Sequence, residues 1–112
     1  MVEAYVPGRG DVIWLDLDPR SGHEQAGHRP ALVISPQPYN QKTSLALCCP
    51  ITRQVKGYPF EVKLPDGLPV SGVVLSDHVR NLDWQARSAR FECKVPEHVV
   101  DEVRGKLALL IH

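Results

Sequence analysis

The segment SGHEQAGHR, residues 21–29, holds the densest group of side chains that could do chemistry. It contains two imidazoles, His23 and His28, a carboxylate, Glu24, and a guanidinium, Arg29. A zinc-binding protease helix needs two histidines four residues apart on one face. His23 and His28 are five apart, which separates them by about 140° on a helix. The spacing argues against that metal site and favours a polar loop leading into a strand.

A second polar group follows in the segment PITRQVKGYPFEV. It supplies a hydroxyl on Thr52 beside another arginine, with Lys56 and Tyr58 close behind. An arginine can bind a phosphate through two parallel hydrogen bonds and stabilise added negative charge, while a threonine holds another oxygen. Arg29 with Thr52 would suit phosphoryl transfer on RNA, whose 2′-hydroxyl is an internal nucleophile. On the residues alone, a surface salt bridge at Arg29 and an ordinary strand position for Thr52 remain open.

The charge along the chain is uneven, although the formal net charge is zero. Residues 19–58 hold five basic side chains against Glu24 alone, which gives this middle part a net charge of +4. Lysine and arginine in one region are what binding to a nucleic-acid backbone requires. A solvated surface with mixed neighbours after folding is the alternative interpretation.

Length and cysteine content describe a small protein that needs no metal or disulfide to fold. The 112 residues suit one domain over 1–112, which buries about two-thirds of its unfolded surface. Cys48, Cys49 and Cys93 cannot all pair within one chain, and neighbouring cysteines in a strand point to opposite faces. No apolar run approaches the roughly 18 residues of a membrane span, and the N-terminus has no signal-peptide core. We expect a reduced, cytoplasmic protein without a cofactor.

Short β-type runs separated by glycine and proline must position these side chains. Six are present: DVIWLDL, PALVIS, SLALCCPIT, FEVKL, GVVLS and ARFECKV. In the first, Val12 and Trp14 alternate with Ile13 and Leu15. Six short strands with tight turns predict a mainly β fold, a small antiparallel barrel or sandwich. We expect the two tryptophans in the core or at a subunit interface.

The last segment, VPEHVVDEVRGKLALLIH, changes to a helical period. Pro96 suits the first helical position and Glu97 the first turn. The apolar residues at helical spacing are Val99, Val103, Leu107 and Leu110. They predict an amphipathic helix that packs on the sheet. His98 and Glu102 lie four apart and could ligate a metal, but a solvated polar face is the simpler interpretation.

Four motifs occur in a fixed order along the chain. They are GDVIW at the first strand, EQAGHRPALV at the second, TRQVKGYPFEV after the third and SDHVRNLDW before the last. In this combination the chain resembles the MazF family of toxin–antitoxin endoribonucleases, also called PemK-like toxins, from Tyr5 through the C-terminal helix. The resemblance implies an SH3-like antiparallel barrel with a C-terminal α-helix that acts as a homodimer.

The resemblance also implies an activity. Members cleave single-stranded RNA, chiefly mRNA, at a short sequence without a metal, which stops translation and growth. The products carry a 2′,3′-cyclic phosphate and a free 5′-hydroxyl. The implied partner is a cognate MazE-like antitoxin, whose acidic and apolar tail covers the RNA groove, and DNA is bound only through the antitoxin complex.

Site residues follow from the same resemblance. The catalytic arginine of the family falls on Arg29 and its hydroxyl partner on Thr52, and Glu24 is a further catalytic position. Either Glu24 or His28 could accept the proton of the 2′-hydroxyl. The predicted RNA contacts are His28, Lys56, Asn40, Leu17, Gln25 and Tyr58. Two other functions remain alternatives: a gyrase poison like the CcdB toxins, and a catalytically silent RNA-binding or scaffold barrel.

Overall fold

The structure, a computed structural model, describes residues 4–16 and 28–111. These residues contain seven strands and two α-helices. In chain order they are β1 (Asp11–Asp16), β2 (His28–Val33), α1 (Gln37–Thr43), β3 (Leu45–Thr52), β4 (Glu61–Lys63), β5 (Val73–Leu75), β6 (Arg80–Asp83), β7 (Arg90–Lys94) and α2 (Glu97–Ile111). A 3₁₀ turn, Ser76–His78, joins β5 to β6. Within these residues, no helix is both long and apolar enough to cross a membrane.

β3 is the strand around which the sheet is organised. Its residues 48–50 pair with β2, whereas residues 45–48 pair with β6 and residues 51–52 with β5, all antiparallel. The strand order is β4-β5-β3-β2-β1-β7, with β6 beside the first half of β3. The predicted mainly β fold with a C-terminal helix is confirmed. Among the pairings described, however, the sheet ends at β4 and β7 and does not close into a barrel.

Both faces of the sheet are buried, and the two adjacent cysteines show it. Cys49 lies in an apolar cluster that includes Val99 and Val103 of α2, whereas Cys48 lies in a second cluster with Trp84. All three cysteines are free thiols. Because successive side chains of a strand point to opposite faces, β2 and β3 supply side chains to both apolar clusters.

α2 begins directly after Pro96 and packs on the sheet as predicted. Its buried residues are Val99, Val100 and Val103. Leu110 was expected on the same face, but its side chain is 51% exposed. Glu102 lies 3.6 Å from Lys106 in an ion pair one turn away, and His98 is exposed. The polar face of α2 is therefore a solvated one over the part of the chain described.

Two elements, α1 and β6, did not follow from the sequence pattern. α1 is only seven residues long, QPYNQKT, and its one buried residue is the polar Asn40. β6 has the sequence RNLD, in which only Leu82 is even partly buried. Neither segment has the apolar periodicity by which helices and strands are recognised. α1 has only Pro38 in its first turn as a local signal, and β6 is formed by its pairing with β3.

Candidate functional site

Arg29 is the second residue of β2 and stands opposite Leu15 of β1. Solvent exposure falls along this strand. His28 and Arg29 are exposed, Pro30 is half-buried, and the remaining residues are buried. The apolar end anchors the strand while its first two side chains project into solvent. A side chain on a paired strand is positioned more reproducibly than one on a loop, so Arg29 can meet a ligand in a constant geometry.

Thr52 is the last residue of β3, where it pairs with Val73 of β5. Its hydroxyl oxygen accepts a hydrogen bond from the backbone N–H of Gln54 over 3.1 Å. A hydroxyl that accepts in this way still has its own hydrogen to donate. Thr52 is therefore able to donate a hydrogen bond to an oxygen atom of a ligand.

Arg29 and Thr52 line one cleft of about 380 Å³, termed here the arginine cleft. His28 and Arg53 also line it. The other described lining residues are Trp14, Pro30, Ile51, Pro69, Val70 and Ser71. None of these described residues is a carboxylate, so the cleft offers two guanidinium groups, an imidazole and two hydroxyls, those of Thr52 and Ser71. The arrangement suits an anionic ligand such as a phosphate diester.

An imidazole–carboxylate pair stands at the edge of the arginine cleft. Nδ1 of His28 lies 2.8 Å from Oδ1 of Asp16, its cross-strand neighbour on β1. Because an ionised carboxylate can only accept, this hydrogen bond places a proton on Nδ1, and in the neutral imidazole Nε2 is then an acceptor. Asp16 had not been singled out from the sequence. The only signal for it is its position directly opposite His28, which requires the strand register.

The segment between β3 and β4 is held by the carboxylate of Glu61. The backbone N–H groups of Lys56 and Gly57 donate to its two oxygens, each over 2.9 Å. The hydroxyl of Tyr58 donates to Asp77 over 2.8 Å, and this hydrogen bond raises the pKa of Tyr58. Neither Lys56 nor Tyr58 is among the described residues of the arginine cleft. Their predicted contacts with RNA stay predictions.

Asn40 lies inside the protein, and its predicted contact with RNA stays a prediction. Its side chain is fully buried, its Nδ2 donates to the carbonyl oxygens of Pro7 and Ser35 over 2.8 and 3.1 Å, and its Oδ1 accepts from the Ser35 hydroxyl over 2.6 Å. The backbone oxygen of Asn40 also accepts a hydrogen bond from the indole of Trp84. With every polar group satisfied inside the protein, Asn40 joins α1 to the N-terminal segment.

Three residues of the predicted site, Leu17, Glu24 and Gln25, lie outside the described residues, as does His23. Their predicted roles therefore stay predictions. Within 4–16 and 28–111, no three His, Cys, Asp or Glu side chains are grouped as they would be to hold a metal ion.

The sequence also matches known proteins. The family described as "PemK-like, MazF-like toxin of type II toxin-antitoxin system" matches residues 8–111. This chain belongs to that family. A relative in this toxin family, the endoribonuclease toxin MazF of Escherichia coli (strain K12), is 50% identical over 111 residues, 99% of each chain. Endoribonuclease EndoA of Bacillus subtilis (strain 168) is 33% identical over 108 residues, 88% of this chain and 85% of the relative.

Solved structures of MazF-like toxins share the fold. A crystal structure of MazF from Deinococcus radiodurans is 55% identical, with a TM-score of 0.87 over 96% of this chain and 98% of that one. A MazE–MazF structure from the same organism is 51% identical, also with a TM-score of 0.87, over 96% and 97% of the two chains. The predictions of the family and of an endoribonuclease are confirmed, and these relatives lend no support to the gyrase-poison alternative.

Proposed function

We propose that this protein is an endoribonuclease toxin that cleaves single-stranded RNA, chiefly mRNA, at a short sequence without a metal ion. The observation that carries the proposal is the placing of Arg29 and Thr52 in one cleft of about 380 Å³. Membership of the MazF-like toxins supports the same activity. Cleavage of mRNA in the cytoplasm would stop translation and growth.

The reaction is an internal transfer of the phosphodiester. The 2′-oxygen forms a bond to the adjacent phosphorus, the bond from phosphorus to the 5′-oxygen breaks, and the products are a 2′,3′-cyclic phosphate and a 5′-hydroxyl. Negative charge builds up on the nonbridging oxygens in the transition state. The guanidinium of Arg29 donates hydrogen bonds to these nonbridging oxygens and stabilises their charge. The hydroxyl of Thr52 donates a further hydrogen bond, which fixes the position of the phosphate. Positioning and charge stabilisation supply most of the acceleration.

Two proton transfers accompany that step. The 2′-hydroxyl loses a proton to an acceptor in the site, and the leaving 5′-oxygen gains one from solvent water. An arginine is a poor acid because its pKa exceeds about 12, so Arg29 acts mainly by charge stabilisation. Glu24 and His28 are the candidate acceptors of the 2′-hydroxyl proton. The hydrogen bond from His28 to Asp16 favours the imidazole, because it leaves Nε2 able to accept.

The remaining predicted contacts bind the rest of the strand. Lys56 is exposed and offers its ammonium to a phosphate, and Tyr58 offers a ring for stacking on a base. Gln25 and Leu17 are proposed to read bases beside the scissile bond. Salt should weaken binding strongly, because each phosphate contact releases condensed counterions.

A cognate antitoxin is the proposed protein partner. In Deinococcus radiodurans, crystal structures pair MazF-like toxin chains with MazE. For this chain, the guanidinium groups of Arg29 and Arg53 in the arginine cleft would attract an acidic, partly apolar tail that excludes RNA. Any binding to DNA would pass through the antitoxin in that complex.

A homodimer is proposed through an apolar groove between α1, β3 and α2. The groove has a volume of about 660 Å³ and is lined by Tyr39, Leu47 and Ile111, among others. These three side chains are 38%, 37% and 75% exposed. Exposed apolar surface of this kind is typical of an interface. Leu47→Glu should convert a dimer to a monomer in light scattering, and an unchanged mass would contradict this interface.

The test of the activity uses a long single-stranded RNA in excess EDTA. We expect the wild type to cleave it, leaving 5′-hydroxyl ends that polynucleotide kinase labels without prior phosphatase treatment. Arg29→Ala and Thr52→Ala should each lose about 10²–10³-fold, as when one charge-stabilising donor is removed from an active site. Arg90→Ala is the matched control, because Arg90 is an exposed arginine on the edge strand β7.

Three results would contradict the proposal. Cleavage that requires added magnesium would exclude the metal-free reaction. Wild-type activity in Arg29→Ala would exclude the assigned arginine. A failure to cleave several unrelated RNAs would favour a gyrase poison or a silent RNA-binding protein. An assay of DNA gyrase then distinguishes the two, because only the gyrase poison inhibits that enzyme.

A further inference from the structure

We propose that a second cleft, on the other side of Arg29, binds one nucleotide of the RNA next to the scissile phosphate. Its apolar floor would hold the base, and Arg80 would hold the phosphate of that nucleotide. The inference rests on the proposed function, because the nucleotide belongs to the strand that the arginine cleft cuts. It names a binding residue, Arg80, that is not among the catalytic residues or RNA contacts predicted from the sequence.

The second cleft has a volume of about 260 Å³ and lies between β1, β2, β3 and β6. Its rim holds three guanidinium groups, those of Arg29, Arg80 and Arg87. Its floor includes Ala31 and Cys48, which are 5% and 2% exposed. A basic rim around an apolar floor matches the two parts of a nucleotide, a charged phosphate and a planar ring.

The two clefts are neighbours, because Arg29 and Pro30 line both of them. If Arg29 binds the scissile phosphate, the strand must continue on one side or the other of this residue. A nucleotide that leaves the arginine cleft on the β6 side enters the second cleft directly. Arg80, on β6, would then meet a phosphate adjacent to the scissile one.

Acidic side chains in the lining reduce the positive charge of the second cleft only slightly. Asp16 is the one carboxylate among the described lining residues, and His28 occupies it through the 2.8 Å hydrogen bond. Arg87 is already tied to β1, since its Nη1 donates to the carbonyl oxygen of Asp16 over 3.3 Å. Arg80 is exposed on β6, opposite Cys48 of β3. Its guanidinium therefore stands at the rim, accessible to a phosphate.

The floor and size favour a base over a peptide. Burial raises the pKa of the Cys48 thiol to about 12, so the floor stays uncharged at neutral pH. Ligand pockets are usually about 300–1,000 Å³, and this smaller cleft fits one ring system better than a run of side chains. No Phe, Tyr or Trp is among its described lining residues, but the imidazole of His78 and a guanidinium plane can each stack on a base.

The experiment uses a short RNA with one cleavage site, mapped beforehand on a long RNA, and the variants Arg80→Gln and Arg90→Gln. Each phosphate flanking the scissile one is replaced in turn by an uncharged methylphosphonate, and each flanking base by an abasic nucleotide. We expect Arg80→Gln to lower kcat/KM about tenfold through KM. At one flanking phosphate, neutralisation should cost the wild type a similar factor but leave Arg80→Gln unchanged. Arg90→Gln should behave as the wild type on every substrate.

The proposal is overturned if Arg80→Gln has the kcat/KM of the wild type on all substrates. It is also overturned if, at every flanking phosphate, neutralisation lowers kcat/KM by the same factor in Arg80→Gln as in the wild type. If the wild type does not cleave RNA at all, the proposed function fails. The second cleft is then decided by fluorescence anisotropy with an uncleavable 2′-O-methyl oligonucleotide, in which the same coupling is expected. If Arg80→Gln abolishes binding of an acidic decapeptide while leaving binding of the oligonucleotide unchanged, the cleft is a peptide site and the proposal is wrong.

Discussion

A β-carbon placed on Gly72 would lie 2.1 Å from the carbonyl oxygen of Thr52, and Gly72 has a φ of +116°. Both facts require glycine, because an L side chain would clash with backbone and strain the conformation. Gly72 thereby lets the segment 69–71, one wall of the arginine cleft, lie against the end of β3.

We expect Gly72→Ala to displace that wall and to lower cleavage of RNA about tenfold or more, with a loss of stability above the roughly 1 kcal/mol typical of a point substitution. Steady-state cleavage and urea denaturation measure the two effects. Gly105→Ala is the control, because among the described residues nothing lies within 4 Å of an added β-carbon there. It should raise stability by up to about 1 kcal/mol. Normal activity and stability in Gly72→Ala would contradict the assigned role of the wall.

Asp16 is expected to be a positioning residue for His28. Removing the carboxylate in Asp16→Ala frees the imidazole to change tautomer and rotate, so kcat should fall about 10–100-fold while KM changes little. Asp16→Asn keeps an oxygen that can accept from Nδ1 and should retain most of the activity. Nitrogen-15 NMR of His28 should show the Nδ1–H tautomer in the wild type and a mixture in Asp16→Ala.

The control for this prediction is Asp66→Ala, which removes an exposed carboxylate from the turn after β4. Its activity and the His28 spectrum should match those of the wild type. An unchanged kcat in Asp16→Ala would leave Glu24 as the acceptor of the 2′-hydroxyl proton.

The strands that were predicted, and α2, could be recognised from their apolar residues. In the strands these residues alternate or form short runs, and in α2 they recur once per helical turn. Arg29 and Thr52 are expected in the site because the motifs around them resemble a family. Their closeness in space could not be derived from spacing alone, since it depends on β2 and β3 pairing over residues 48–50.

The rest depends on contacts between residues far apart in sequence. Asn40 resembles a polar loop residue, yet Pro7, 33 residues away, accepts its hydrogen bond. Arg80 meets the second cleft only because β6 pairs with the first half of β3, and RNLD has no apolar alternation. Such pairings leave no local pattern in the sequence.

The buried amide of Asn40 yields a stability prediction. Asn40→Ala removes three hydrogen bonds and leaves the carbonyl oxygen of Pro7 and the hydroxyl of Ser35 short of partners, at about 1–3 kcal/mol for each unsatisfied group. Urea denaturation should therefore show a loss of about 2–5 kcal/mol. Cleavage per folded molecule should stay within about twofold of the wild type.

Asn81→Ala is the matched control, because Asn81 is exposed and makes one side-chain hydrogen bond, to the hydroxyl of Tyr39. It should cost less than about 1 kcal/mol. A small change in stability with a large change in cleavage for Asn40→Ala would instead support the predicted contact of this residue with RNA.

The thiols of Cys48 and Cys49 should make stability fall at alkaline pH. Burial raises both pKa values to about 12, helped by each thiol's neighbours, Cys49 for Cys48 and Asp77 for Cys49. In the unfolded chain a thiol ionises near pH 9, so between about pH 9 and 12 the native state holds protons that the unfolded state has lost. Stability is then full below about pH 9 and falls as the pH rises toward 12.

Urea midpoints at about pH 8 and pH 10.5 measure this fall, and the double variant Cys48→Ala/Cys49→Ala isolates the thiols. Burial and the hydrogen bond to Asp11 also raise the pKa of Tyr5, but this tyrosine is present in both proteins. The variant should therefore lose less stability than the wild type between the two pH values, whatever its stability at pH 8. Equal losses would mean that the two thiols ionise in the native state as readily as in the unfolded chain, and that the apolar floor of the second cleft acquires charge in alkaline solution.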